Sequence, residues 1–154
     1  MENIYADDWD ASEDHPGYEW DRMRLARRLG GEMLGASIYL IRPGQRSFPY
    51  HFHHANEEML IVLDGTVTVR TPEGDDIAGR GDAMIFPRGP GGAHQVVNHT
   101  DEPARILMIS TMASPEISEY PDSGNVGLFP DRAPGAPGGI GRFIDGAAEV
   151  DYFS

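Results

Sequence analysis

Between residues 36 and 112 the chain alternates short runs of strand formers with breaks rich in glycine and proline, at intervals of 8–12 residues, and no helical period intervenes. The runs are ASIYLIRPG (36–44), FPYHFHH (48–54), EMLIVLDG (58–65), TVTVRTPEG (66–74), DIAGRGDAMIFP (76–87), AHQVVNH (93–99) and ARILMISTM (104–112). Such spacing predicts an antiparallel sandwich or barrel. Asp64-Gly65 reads as a hairpin turn, and residues 76–87 read as two short strands around Gly79 and Gly81. The runs at 58–63 and 104–112 are apolar on both faces. A sheet containing them needs a second cover beyond the barrel core, from an N-terminal arm or a partner subunit.

The flanks differ from this centre. Residues 1–20 are acidic and rich in turn formers, which predicts an arm with Trp9 and Trp20 as docking points. Residues 21–35 have room for a helical turn, cut short by Gly30-Gly31. From Ser114 the pattern is too mixed for core strands. The stretch 133–141 (APGAPGGIG) reads as a flexible or polyproline-like connector. The end of the chain offers Phe143, Ile144, Val150, Tyr152 and Phe153 for docking on the barrel or on a partner. The expected organisation is an arm over 1–32, a β-barrel over 33–113 and a tail over 114–154.

Composition narrows the chemistry. The 154 residues include no cysteine, so disulfides, thiolate metal sites and cysteine nucleophiles are excluded. Any metal must be held by nitrogen and oxygen. A net charge of −13, set against twelve arginines and no lysine, argues against nucleic acid as a partner. It is also the kind of charge excess found in halophiles, and stability that ignores salt would dismiss that source. The N-terminus is acidic, without a basic segment or apolar core, and no apolar run reaches bilayer-spanning length. The expected location is the cytoplasm, away from membranes.

The segment PYHFHHANEEMLIVLDG (49–65) concentrates candidate ligands. Strand alternation puts His51 and His53 on one face and His54 on the other. Two imidazoles two residues apart on a strand can converge on one ion. A carboxylate must join them from Glu57 or Glu58, of which only one can face inward. Leu60 and Val62 share the face of Glu58, and Met59, Ile61 and Leu63 that of Glu57, so periodicity does not choose between them. His94 follows a glycine-rich loop on a later strand. His99 and His15 sit beside turns, and Tyr50 and Arg88 flank the ligand stretches. An arginine near a site mouth could fix an anionic substrate.

The chain resembles the cupin superfamily in two stretches. The first motif of that family is G, five residues, H-x-H, three or four residues, E, six residues, G. Here Gly44 is followed by six residues, His51-Phe52-His53, four residues, Glu58, six residues and Gly65. The second motif is G, five residues, P-x-G, two residues, H, three residues, N. Here it reads Gly81, five residues, Pro87-Arg88-Gly89, four residues, His94, three residues and Asn98, so the loop is longer by two. The resemblance implies an all-β, double-stranded β-helix (jelly-roll) barrel. It implies His51, His53, Glu58 and His94 as metal ligands, with Glu57 and His54 facing away. It also implies a homodimer.

The implied cofactor is one divalent ion per chain, and a nitrogen and oxygen donor set suits Fe, Mn, Ni, Cu or Zn. Two functions of different class follow. The first is a metalloenzyme acting on a small polar or aromatic compound. The motifs hold no separate general base, though Glu58 could serve if it left the metal, and this favours dioxygenase-type chemistry over isomerisation or decarboxylation. The second is a metal-dependent protein that binds or senses a small ligand without turnover.

Overall fold

A computed structural model of the chain describes residues 1–131, 133–134 and 141–148. The expected connector at 133–141 falls mostly outside these residues, as do Val150, Tyr152 and Phe153. The described chain is a jelly roll of antiparallel strands. β1 (Ala11–His15), β2 (Tyr18–Met23), β3 (Gly35–Ile41), β10 (Ala104–Ser110), β5 (Glu58–Asp64) and β8 (Ala83–Phe86) lie in that spatial order in a six-stranded sheet. β6 (Thr66–Thr71) stands between β7 (Gly74–Gly79) and β9 (Gln95–Val97) in a second sheet. The third runs β13 (Arg142–Asp145), β12 (Asn125–Phe129), β11 (Glu116–Tyr120), β4 (Phe52–His53). The only α-helix among the described residues is the single turn α1 (Leu25–Arg28), closed off before Gly30-Gly31 as the sequence predicts.

Period-two alternation sorts β3, β5 and β10 into two apolar faces. Tyr39, Ile41, Leu60, Val62, Ala104 and Ile106 point inward and meet Val67, Val69 and Val96 of the opposing small sheet. Ile38, Ile61, Leu63 and Leu107 point outward, where Ile4, Ala6, Trp9, Met23 and Leu25 cover them. The second cover is therefore the chain's own N-terminal segment. Burying Met23 and Ile38 to 0% exposure contributes roughly 1.5–3 kcal/mol each.

Three local readings change. First, Asp64-Gly65 is a corner between sheets and not a hairpin: β5 pairs with β8 and β10, whereas β6 pairs with β7 and β9. Gly65 has φ +78°, and a Cβ there would stand 3.0 Å from the Pro103 carbonyl oxygen. A two-residue hairpin follows instead at Pro72-Glu73, with Thr71 opposite Gly74. Second, residues 11–23 form a β1–β2 hairpin that extends the six-stranded sheet through the β2–β3 pairing. Third, residues 116–129 form strands despite their mixed pattern. β11 pairs with β4 on one side and β12 on the other, so its backbone partners supply what its side-chain pattern lacks.

Candidate metal centre

Two strand segments and one loop carry the candidate ligands. His51 and His94 form an isolated antiparallel bridge, with the His51 amide donating to the His94 carbonyl (3.2 Å) and the reverse bond at 2.9 Å. His94 thus stands just before β9, tied to the histidine forty-three positions earlier. The longer loop is absorbed by a 3-10 turn at Pro90–Gly92, and the Gly89 amide donates to the His53 carbonyl (2.8 Å). Gly92 is obligatory in that turn, since a Cβ there would meet the Pro87 oxygen at 1.7 Å. Glu58 opens β5 on the face of Leu60 and Val62, which the core shows to be the inner one. Its neighbour Glu57 is exposed.

His51 and His53 face the same way, with ring centroids 5.0 Å apart. One ligand atom from each of His51, His53 and Glu58 lies within 4.8 Å of the others. Glu58 Oε2 is 3.4 Å from His53 Nε2 and 3.3 Å from His94 Nε2. Two donors each about 2.1 Å from one ion stand about 3.0 Å apart at a right angle and about 3.4 Å apart at the tetrahedral angle. The Glu58 spacings to His53 and His94 fall within that range, and His51 stands within 4.8 Å of His53 and Glu58, so the donor set suits a divalent ion.

The second nitrogen of each ring fixes its orientation. His51 Nδ1–H donates to the Pro49 carbonyl (2.8 Å) and His94 Nδ1–H to the Gly92 carbonyl (3.0 Å). A carbonyl can only accept, so each Nε2 is left with a lone pair for a ligand. His53 Nδ1 lies 3.1 Å from Ser118 Oγ and 3.8 Å from Glu116 Oε1, both on β11. His54 points away, half exposed, and pairs with Glu119 at 2.7 Å. His15 and His99 are exposed.

Charge follows this geometry. Burial, then the neighbouring His94 and His53, pulls the His51 pKa down to about 3, so this ring is neutral at ordinary pH. Burial also disfavours a charged His53, but Glu116 and Glu58 on its two sides outweigh that and raise it to about 9. Burial pushes Glu58 up, and its bonds to His53 and His94 more than reverse this, holding its carboxyl below the usual range. Glu116 behaves alike: burial opposes ionisation, but His53, Asn56 and the His54 amide keep it lowered.

The cluster lies at the base of a cavity of about 420 Å³. Tyr39, Ser47 and Phe48 line it from the barrel, Arg22 from β2, and Tyr120 and Phe143 from the C-terminal strands. Tyr120 stacks on His51 at 5.7 Å and 18°. Burial raises the pKa of Tyr39 to about 12, and burial with the charge of Glu58 raises that of Tyr120, so both hydroxyls stay protonated. Sequence reading singles out none of Arg22, Glu116, Ser118 and Tyr120, because they lie outside the motif-bearing stretch. Arg88 is exposed and does not line the cavity, whereas Tyr50 is buried beneath the Arg70 guanidinium, 4.0 Å from its ring centroid.

No helix among the described residues is long and apolar enough to cross a membrane. Comparison with known proteins places this geometry. No curated protein matches by sequence. A sugar phosphate isomerase of the cupin superfamily from Silicibacter pomeroyi is 26% identical with a TM-score of 0.74, over 84% of this chain and 78% of that one. A protein of Acidithiobacillus ferrooxidans is 25% identical with a TM-score of 0.77, over 88% and 82%. The fold is shared with a polyketide cyclase from Streptomyces resistomycificus, 24% identical with a TM-score of 0.58 over 71% and 78%. The cupin domain family model matches residues 37–110, the stretch that runs from β3 through every candidate ligand to the end of β10. The chain carries a cupin domain over residues 37–110.

Proposed function

We propose that His51, His53, Glu58 and His94 hold one divalent ion, and that the cavity above it isomerises a small hydroxycarbonyl compound. The observation that carries this is the convergence of three oriented imidazoles and one carboxylate beneath a cavity walled by protonated tyrosines. The donor set suits Fe, Mn, Ni, Cu or Zn. Bound there, such an ion supplies Lewis acidity that acidifies the carbon next to a carbonyl. Among the described lining residues Glu58 is the one carboxylate; its Oε2 faces the histidines, and in this reading Oε1 takes the proton from one carbon and returns it to the neighbouring carbon. Tyr39 and Tyr120 donate hydrogen bonds to substrate oxygens. Phe48, Phe129 and Phe143 exclude water from the exchanging proton. The likeness to the Silicibacter pomeroyi isomerase supports the reaction class.

The same cavity supports a second reading. Among the described residues, no histidine or carboxylate beyond the four candidate ligands lines it, so these residues supply no independent base. That favours dioxygenase-type oxidation of a small polar or aromatic compound, or ligand binding without turnover. Protein purified without added metal or chelator, incubated with hydroxycarbonyl compounds in deuterium oxide, separates these readings. Stoichiometric metal with deuterium at the carbon beside the carbonyl is the expected result. Oxygen uptake without exchange supports the oxidation, and stoichiometric zinc with neither supports the binding protein. The chain is also proposed to act as a cytoplasmic homodimer through the exposed Ile77 and Ile85 of β7 and β8; a monomer by light scattering would reject the dimer.

A further inference from the structure

We propose that Arg22, Arg24 and Arg27 form an anion subsite at the outer mouth of the metal cavity, taking the phosphate group of a phosphorylated small substrate. The proposal rests on the isomerase reading only in treating that phosphate as part of a substrate. A second pocket of about 540 Å³ adjoins the first, and Arg22, Gly35, Ser37 and Met112 line both. Arg24 and Arg27 line the second alone. A small molecule with its reacting end at the histidines thus has guanidinium groups along the way out.

Charge pairing singles these arginines out. Five described arginines are at least partly buried: Arg22, Arg24, Arg28, Arg70 and Arg105. Arg28 holds Glu2, Asp8 and Asp10, Arg70 holds Asp122, and Arg105 holds Asp7. Among the described residues, no carboxylate lies within 4.0 Å of the Arg22 or Arg24 guanidinium. The chain carries 25 acidic side chains against twelve arginines, yet among the described residues neither guanidinium contacts one, and Asp10 acts on Arg24 only at longer range. Removing a cation from water without a partner is costly. Arg24 Nε is buried and has no hydrogen-bond acceptor.

Arg22 is held in a fixed plane. Its Nε and Nη2 donate to Ser37 Oγ (3.1 and 3.0 Å), and its guanidinium lies 5.4 Å from the Tyr39 ring centroid. The remaining N–H groups of this rigid fork suit the oxygens of a phosphate, and two or three arginines suit a dianion better than a carboxylate. Glu32 and Asp131 also line the second pocket, and both are exposed, where water and salt screen them.

The test is titration of the metal-containing full-length protein with inorganic phosphate, followed by calorimetry and by the arginine Nε–H resonances. Saturable binding that moves two of these resonances is expected. Arg22→Gln and Arg24→Gln each weaken it roughly tenfold, and exposed Arg27→Gln weakens it less, while Arg80→Gln leaves it unchanged. Phosphate affinity that ignores both substitutions, with unmoved Nε–H resonances, places the anion on the metal and overturns the subsite. Acetate binding as tightly as phosphate overturns the phosphate assignment. The resonances are read in the unsubstituted protein, so a variant that fails to fold leaves the test intact. Deuterium exchange without arginine-dependent phosphate binding removes the subsite and leaves the isomerase reading; the opposite pair of results removes the isomerase reading and leaves the subsite.

Discussion

Two carboxylates, one partly and one fully buried, stand on either side of His53, and they do opposite things. Glu58, on β5, reaches two imidazole nitrogens at 3.3 and 3.4 Å, both longer than good hydrogen bonds, and it faces a cavity. Glu116, on β11, is 1% exposed and saturated: it accepts from the amides of His54 (2.9 Å) and Ala55 and from the Asn56 side chain. Asn56 in turn bonds the Ala113 carbonyl and Thr111 Oγ1 (both 3.1 Å). Glu58 therefore keeps capacity for a cation, whereas Glu116 spends its capacity on holding the 53–56 turn against β11. A carboxylate with free lone pairs is a ligand, and one with none left is scaffold.

The sharpest way to break this contrast is Glu116→Ala. It strands two amides and Asn56 and removes the counter-charge of His53, so the loss of folding stability is about 3–5 kcal/mol in chemical denaturation. An unchanged midpoint would make Glu116 a bystander. Second is pH. In metal-free protein the raised His53 stabilises the fold fully below its ordinary value of 6.5, and this contribution is lost as pH rises through about 9. The expected loss across that window is up to about 3 kcal/mol. Glu58 and Glu116, both lowered, act with the opposite sign: their contribution is present above about 4.5 and disappears only as pH falls below it. Metal affinity should rise over the window in which His53 loses its proton.

Third is Glu58→Gln, which separates ligand from scaffold. Metal affinity should drop about 100-fold, or 2.7 kcal/mol, while stability of the metal-free protein falls by less than in Glu116→Ala, because His53 keeps Glu116 as its counter-charge. Glu57→Gln and His54→Ala should leave metal content intact; loss of metal in Glu57→Gln but not in Glu58→Gln would invert the assigned register. The smallest effect belongs to the rim. Arg70 pairs with Asp122 at 2.7 and 2.9 Å, joining the small sheet to the β11–β12 loop on the surface. Arg70→Gln should cost no more than about 1 kcal/mol, checked by thermal melting, because the pair is exposed and screened.

The same contrast explains how much of the site was legible. His51, His53, Glu58 and His94 sit in spaced motifs on strongly patterned strands; the structure sets one ligand atom each of the first three within 4.8 Å and His94 3.3 Å from Glu58. The choice of Glu58 over Glu57 was open to periodicity, because β5 is apolar on both faces. It closes once the N-terminal segment is seen covering the outer one. Glu116, Ser118 and Tyr120 lie sixty-odd residues beyond the first histidines in a stretch whose strands depend on pairing with β4. Arg22 lies in a segment that reads as room for a helical turn and becomes a sheet strand by pairing with β3.

By itself, then, the sequence determined an all-β barrel with many turns, excluded thiol chemistry, and carried the two spaced motifs whose resemblance to a family implies the four candidate ligands. Those features are local: alternation, turn residues and short spacings act within a few positions of one another. Tertiary structure alone decided which face of β5 is inside, which strands back His53, and which arginines lack a counter-ion. Each of those is a contact between segments remote in sequence, and no local pattern encodes which remote partner will satisfy a buried group.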